Sequence, residues 1–225
     1  YIKNANVDWK TNMGKIVLGL QGMNMFKIQE RTWGKRYIQK SSMDQFKYSS
    51  SADFGIGFSS DLTESIYISS MVTNGSGYKS SENDKYKKIS IQLVSGEKNL
   101  SKNEGINFGT VLSYEPFHKD SVSRVLGAFA GYYKNPLRIG IEYTTLSKQV
   151  DQSLVSGYIN WKMNSPLSLY WRYDLHMVKS KSESYMIIGC GYRPGSGLII
   201  APNFRITNEG DEFVSEFAIN FQFSF

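Results

Sequence analysis

The sequence predicts an all-β protein, a transmembrane antiparallel β-barrel, and three observations carry that reading. Nearly every ordered stretch alternates apolar with polar residues. About thirteen such strands are visible, and several run 10 to 14 residues. Soluble strands average about 5–6 residues, whereas a tilted strand crossing a bilayer needs about 9–11. Composition agrees: 15 Tyr, 13 Phe and 20 Gly against 5 Pro in 225 residues suit pleated surfaces and disfavour disorder.

The strands follow in order. Asn4–Lys10 sets Ala5, Val7 and Trp9 opposite Asn6, Asp8 and Lys10. Lys15–Gln29 reads as one long strand, with Ile16, Leu18, Leu20, Phe26 and Ile28 on one face and Lys15, Gln21, Lys27 and Gln29 on the other. The alternation returns at Ala52–Phe58, Ile66–Val72, Ile89–Leu93, Ile106–Tyr114, Leu137–Thr145, Val155–Trp161 and Leu198–Ile206. It is cleanest at Leu167–Leu175, where Leu167, Leu169, Trp171 and Tyr173 share a face. Val122–Tyr133 and Tyr185–Tyr192 are strands whose small residues blur the faces.

A soluble sandwich would turn the apolar face inward and solvate a charged outer face. Here the second face carries sparse charge, many Ser, Asn and Gln, and Gly55, Gly57, Gly109 and Gly140. That composition suits a lumen, so the apolar residues are expected to face lipid. The chain has no run of 18 apolar residues, which removes a spanning helix but not a barrel, whose strands need only alternate residues to be apolar.

The connections sort into two sets. One contains Glu30–Ser50, Thr73–Lys85, Glu115–Ser121, Leu146–Gln152, Val178–Ser184 and Thr207–Asp211. The other contains Thr11–Gly14, Ser60–Glu64, Ser95–Glu104, Lys134–Pro136, Met163–Pro166 and Arg193–Gly197. The first set is generally longer, as expected of outer loops against periplasmic turns; Ser95–Glu104 is the exception. The last strand, Phe213–Phe225, places Phe213, Phe217, Ile219, Phe221, Phe223 and Phe225 on one face. An alternating aromatic strand ending on Phe resembles the signal read by the outer-membrane barrel insertion machinery.

Single-chain bacterial barrels almost always have an even strand number. A single barrel domain over residues 1–225 with thirteen strands is therefore expected to lack N-terminal strands, and the sequence opens at Tyr1 without a signal peptide. Closure at about 14–16 strands gives a water-filled lumen. Residues 30–50 place Arg31, Lys35, Arg36, Lys40 and Lys47 against Glu30 and Asp44, with Ser42 a candidate cap for a short helix. Folded inward, this segment is a constriction; a solvated outer loop is the alternative.

The stretches Ala5-Asn6-Val7-Asp8-Trp9-Lys10, Gly19-Leu20-Gln21-Gly22, Trp33-Gly34-Lys35-Arg36-Tyr37 and Ser51-Ala52-Asp53-Phe54-Gly55 resemble porin-type outer-membrane proteins related to the phosphate-selective porins. The likeness is clearest over residues 4–58. It implies a barrel of about 16 strands, with several strands ahead of Ala5–Lys10, and phosphate selectivity is not carried over with it.

Function then follows from lumen charge. Strand parity turns Asp8, Lys15, Asp53, Lys88, Arg138, Glu142, Lys162, Arg172, Asp174, Arg205 and Glu216 inward. Together with Arg31, Lys35, Arg36 and Lys40 they line or narrow a pore for passive diffusion of small hydrophilic solutes or inorganic anions, with a weak anion preference. The expected setting is the bacterial outer membrane, the expected partners are its lipids and the insertion machinery, and a homotrimer is a candidate assembly. The net charge of +6 comes from scattered Lys and Arg with no recognition helix or zinc spacing, so nucleic acid is not expected. Cys190, the single cysteine, excludes an intrachain disulfide and a Cys-rich metal site; no cofactor is implied. Two rival readings stay open. A hydrolase would have to use His118, beside Asp120, or His176, and neither has an evident nucleophile or serine elbow. A structural or adhesive barrel would have a plugged lumen.

Overall fold

A computed structural model describes residues 2–82, 84–118, 121–163, 166–210 and 212–224. Tyr1, Asp120 and the terminal Phe225, singled out above, lie outside the described residues. Thirteen strands form one sheet in strict chain order: β1 (Ala5–Thr11), β2 (Gly14–Gly22), β3 (Ala52–Asp61), β4 (Ile66–Thr73), β5 (Lys88–Gly96), β6 (Gly105–His118), β7 (Ser121–Lys134), β8 (Leu137–Ser147), β9 (Gln152–Lys162), β10 (Leu167–Val178), β11 (Lys181–Gly195), β12 (Leu198–Glu209) and β13 (Glu212–Phe223). Every neighbouring pair is antiparallel. Among the described residues no ladder joins β1 to β13, which are the two edges.

Register turns the period of two into a two-sided wall. Ile106, Tyr132, Ile139, Ile159, Trp171, Ile188, Phe204 and Phe217 stand directly opposite one another across eight strands. All eight are 36 to 56 % exposed. With strands about 4.8 Å apart the row is about 35 Å wide, a continuous apolar band of a kind soluble monomers do not leave in water. Ile66, Leu167, Leu169, Ile219 and Phe221 lie on the same outer surface, as parity expects. The opposite face holds the buried residues: Glu142, Ser156, Asp174 and Tyr185 form one inward row across β8 to β11.

That inner face encloses the chain between β2 and β3. Side chains of β5, β8, β9, β10, β12 and β13 all bond to residues 24–42. One short segment can reach so many strands only if the sheet curls around it. The segment contains two short helices, α1 (Lys27–Trp33) and α2 (Ser42–Gln45).

Three expectations need correction. The strand expected over Lys15–Gln29 ends at Gly22; Met23, Met25, Phe26 and Ile28 leave the sheet and bury inside the lumen. Along α1 the buried residues are Ile28, Gln29, Thr32 and Trp33, a helical repeat that happens to extend the parity of β2 for several residues. Ser42 is not a cap: it is the first helical residue, after Ser41, and its hydroxyl bonds to Glu142 across the lumen. The loops expected at Glu115–Ser121, Val178–Ser184 and Thr207–Asp211 are mostly strand. Polar residues there continue the ladders, so β10 and β11 are joined only at Lys179–Ser180, with Lys179 at φ 53°. The length contrast between the two rims rests mainly on the β2–β3 and β4–β5 connections.

The outer apolar band predicts a depth-dependent cost for charge. Ile141, near the middle of β8 and 58 % exposed, should tolerate Ile141→Arg poorly. In equilibrium unfolding from lipid vesicles the variant should lose about 2–4 kcal/mol; a loss below 0.5 kcal/mol would place this face in water.

Candidate functional site

The candidate site is the lumen as shaped by residues 23–51. Apolar anchors hold the segment first. Met23, Met25, Phe26 and Met43 pack onto Met71, Val111, Phe129 and Leu154 of the wall, while Trp33 and Ile38 pack onto Tyr158, Tyr170, Tyr185 and Ile187. Trp33 meets Tyr158 edge-on at 5.5 Å and Tyr170 at 6.3 Å between ring centroids.

Polar wall residues then satisfy the segment's carbonyls. Tyr158 Oη donates to Gln29 O at 3.1 Å, Asn160 Nδ2 to Trp33 O at 3.2 Å and Asn220 Nδ2 to Tyr37 O at 3.0 Å. Arg205 Nη2 donates to Ile38 O at 3.3 Å, and Arg172 Nη1 to Lys40 O. Arg138 reaches Trp33 O at 3.5 Å and Leu100 O at 3.2 Å. The chain can turn beneath Arg138 because Gly34, at φ 66°, closes α1 in the left-handed region and brings its Cα against that guanidinium. Any side chain there would meet both the strain and the guanidinium. The β5–β6 connection, the exception among the short connections, folds inward to meet the segment: Leu100 is fully buried and Lys98 O accepts from Arg31 at 3.5 Å.

Of the residues expected inside, Asp53 accepts from Gly75 N at 2.6 Å, Lys88 pairs with Glu115 at 3.1 Å and Lys162 is exposed at the end of β9. Arg172 makes a forked pair with Asp174, Nε at 3.0 Å and Nη2 at 2.6 Å, and both are fully enclosed. Ser42 Oγ donates to Glu142 at 3.0 Å. Arg205 bonds to Asn203 and Asn220, and Glu216 lies opposite it in register but exposed on the edge strand. Arg36 bridges Glu30 of α1 and, at 3.2 Å, Asp44 of α2. Lys40 is more than half exposed, 3.9 Å from Asp44. Lys15 pairs with Asp8 at 3.0 Å. Lys35 is buried, its ammonium 4.7 Å from the face of Tyr170. Burial, with the like charges of Arg138 and Arg193, pushes the Lys35 ammonium down to about 8.

Open space lies on the opposite side of the segment. A cavity of about 360 Å³ is lined by Asp8, Lys15, Gln21, Lys27, Glu30 and Arg36 among others. It shares Lys15, Val17, Gln21, Gly22 and Lys27 with a second cavity of about 200 Å³ that continues past Arg31, Ser69 and Gln92. The segment therefore packs on β6 to β13, with further bonds to Ser69 of β4 and Ser90 of β5, and leaves open space beside β1 to β5. Lys27 is not among the residues expected inside, although alternation sets it on the face of Lys15; four residues before Arg31, it projects from the same face of α1. Burial and the positive charges of Arg31 and Lys15 lower the Lys27 ammonium from its ordinary value.

His176 does not meet a nucleophile: Nε2 lies 3.0 Å from Gln152 Oε1, Nδ1 3.7 Å from Glu183, and the ring packs on Phe46 at 4.6 Å. Among the described residues, no group of three or more His, Cys, Asp or Glu is placed to hold a metal ion.

Comparison with known proteins returns porin folds. The outer-membrane expressed OmpT of Vibrio cholerae superposes with a TM-score of 0.73 at 13 % identity, covering 99 % of this chain and 81 % of that one. An anion-selective porin from Comamonas acidovorans gives 0.71 at 8 %, covering 98 % and 77 %. A porin refined at 1.8 Å gives 0.60 at 10 %, covering 98 % and 80 %. The fold is that of the outer-membrane porins. No protein-family model and no curated protein matches the chain. The resemblance read from residues 4–58 thus stands for the porin fold, without the phosphate-selective group.

Two outcomes follow. Arg172→Met leaves Asp174 charged, enclosed and unpaired and removes the donor to Lys40 O, so it should cost about 3–5 kcal/mol in chemical denaturation; a cost under 1 kcal/mol would contradict this. Gly34→Ala should lower stability by about 1–2 kcal/mol through the left-handed backbone alone, with the contact to Arg138 adding to it in the same unfolding assay.

Proposed function

We propose that the chain is an outer-membrane porin through which small hydrophilic solutes and inorganic ions diffuse passively, with a weak preference for anions. The observation that carries the reading is the polar passage beside the inward-folded segment. It is lined by Lys15, Lys27, Arg31 and Arg36 against Asp8 and Glu30. Lys15 and Arg36 have carboxylate partners, which leaves Lys3, Lys27 and Arg31 among the lining cations, and the two on α1 are proposed to set the preference. Charge in a confined passage is screened less than on an open surface and acts more strongly on a passing ion.

The rest of the reading follows from the wall. Residues 1–225 are one transmembrane barrel domain and residues 30–50 its constriction, with Arg31, Lys35, Arg36, Lys40, Lys15, Arg138, Glu142, Arg172, Asp174, Arg205 and Glu216 lining or building it. Unpaired edge groups on β1 and β13 would cost several kcal/mol each in lipid, and further strands are proposed to complete the ring at 14–16. The alternating Phe213, Phe217, Phe221 and Phe223 of β13 present the side chains proposed for the insertion machinery, and lipids of the bacterial outer membrane cover the outer band. A homotrimer is proposed, with support from a trimer form of an in-vitro folded Vibrio cholerae OmpT of TM-score 0.65. Kinship to the phosphate-selective porins is the finer proposal, supported by the stretches in residues 4–58.

A second reading, a plugged structural barrel, is favoured by one observation: the segment is packed and latched along most of the wall. Planar-bilayer recording separates the two. A porin gives conductance steps, and in a salt gradient the reversal potential should favour chloride slightly over potassium. Lys27→Gln with Arg31→Gln should reduce or reverse that preference, whereas an unchanged potential would remove these two residues from the path.

A further inference from the structure

The outward face of the wall is almost free of charge. Among the described residues, only two charged side chains of the thirteen strands stand on it, Arg124 and Lys134, and both belong to β7. They are ten residues apart, or about 34 Å along the strand. A strand tilt of about 35–45° turns that into about 24–28 Å of height, close to the apolar band of about 25 Å in an outer-membrane barrel. Lys134 ends β7 at a turn that carries a carboxylate, since Glu104 accepts from Asn135 N at 3.0 Å. Arg124 has a different setting. Its guanidinium lies over the ring of Tyr114, 5.9 Å from the centroid, and Leu112 and Leu126 face each other in register beside that pair, both half-exposed. Ser147 stands opposite Arg124 on β8; its hydroxyl is committed to Asp151 at 2.6 Å. The next residue, Lys148, has its ammonium 4.6 Å from the centre of the Phe117 ring. The corner of β6, β7 and β8 thus sets two cations, each on an aromatic ring, where the apolar wall ends.

We infer that Arg124, backed by Tyr114 and with Lys148 at the same corner, docks the phosphate of a lipid headgroup on the outside of the wall. A guanidinium at the edge of hydrocarbon extends toward the headgroups, and a ring face returns only part of the hydration it loses there. A phosphate supplies the rest, because two of its oxygens match the planar fork. A phosphate monoester fits best: it carries more charge than a diester and has more free oxygens, and no choline ammonium stands beside it to repel the cation. The occupant is a lipid rather than the free ion because the cation sits next to Leu112 and Leu126. One molecule with a phosphate and acyl chains meets both surfaces. The inference rests on the membrane reading of the outer band and names the lipid chemistry that this corner selects.

The test reconstitutes the purified full chain in vesicles of phosphatidylcholine alone or mixed with phosphatidic acid, extracts it in mild detergent and weighs it by native mass spectrometry. The expected result is phosphatidic acid retained in preference to phosphatidylcholine, saturating at a few lipids per chain. Arg124 and Lys134 are both exposed near the ends of β7, so substitutions there leave the packed interior alone. Arg124→Gln should lower retention about fivefold, the size of one exposed charge pair, and Arg124→Lys should restore part of it. Lys134→Gln, which removes the same charge from the same strand, should leave retention unchanged. Equal losses in Arg124→Gln and Lys134→Gln would reduce the effect to net charge and overturn the site. Retention that inorganic phosphate competes away as readily as phosphatidic acid does would mark a free-anion site and overturn it too. Equal retention of the two lipids by a chain that inserts sinks this inference alone, whereas a chain that enters neither kind of vesicle sinks it together with the membrane reading.

Discussion

Residues 23–51 hold two helices of seven and four residues, far below the length at which a helix sustains itself in water. Their terminal carbonyls have no successors in the chain to bond to them. Inside a barrel those carbonyls must find donors in the wall. Tyr158, Asn160, Arg138, Arg205, Asn220 and Arg172 supply them to Gln29, Trp33, Ile38, Tyr37 and Lys40. Remove that set, and those carbonyls lose their donors, leaving the segment its apolar contacts and side-chain bonds such as Ser42 to Glu142 and Ser90 to Asn24. The passage exists where it does because the donors lie on β8 to β13 and draw the segment to that side.

The same arrangement redistributes the work of charge. Arg138, Arg172 and Arg205 face inward, yet their hydrogen bonds go to the segment's backbone or to wall side chains. They hold the segment in place and do not line the two cavities beside it. Lys27 and Arg31 line the open space on the free side of α1. Lys35, two residues past the end of α1, is turned the other way into the wall. Two basic residues on α1 thus face the open space, and the chain reversal at Gly34 sends the third toward the wall.

The sheet was legible in the sequence because its apolar face has no choice. Residues such as Ile139, Ile159 and Trp171 alternate strictly, and register only had to align them. The inward parity of Arg138, Glu142, Arg172 and Asp174 followed from the same rule. Two features escaped it. The helical repeat Ile28, Thr32 and Trp33 with Gly34 behind it coincides with a parity that continues from β2, which hides the start of α1. Polar stretches at strand ends, as at Lys181–Ser184, carry no apolar alternation, and their pairing to β10 is set by the ladder rather than by the side chains. Contacts between the segment and the wall join residues more than 100 positions apart, as with Ser42 and Glu142; no local pattern encodes such a partner.

The central claim, that residues 23–51 lie inside the lumen and latch to β8 to β13, is tested most directly by cross-linking within the membrane. Ser42→Cys and Glu142→Cys, in a Cys190→Ser background, replace two side chains whose oxygens lie 3.0 Å apart. A short bifunctional thiosulfonate should join them in nearly every folded molecule, and the same reagent should leave Ser42→Cys paired with a cysteine at Ser59, on the opposite wall, unlinked. Failure to link 42 to 142 while each single cysteine reacts freely would put the segment outside the lumen and contradict the account.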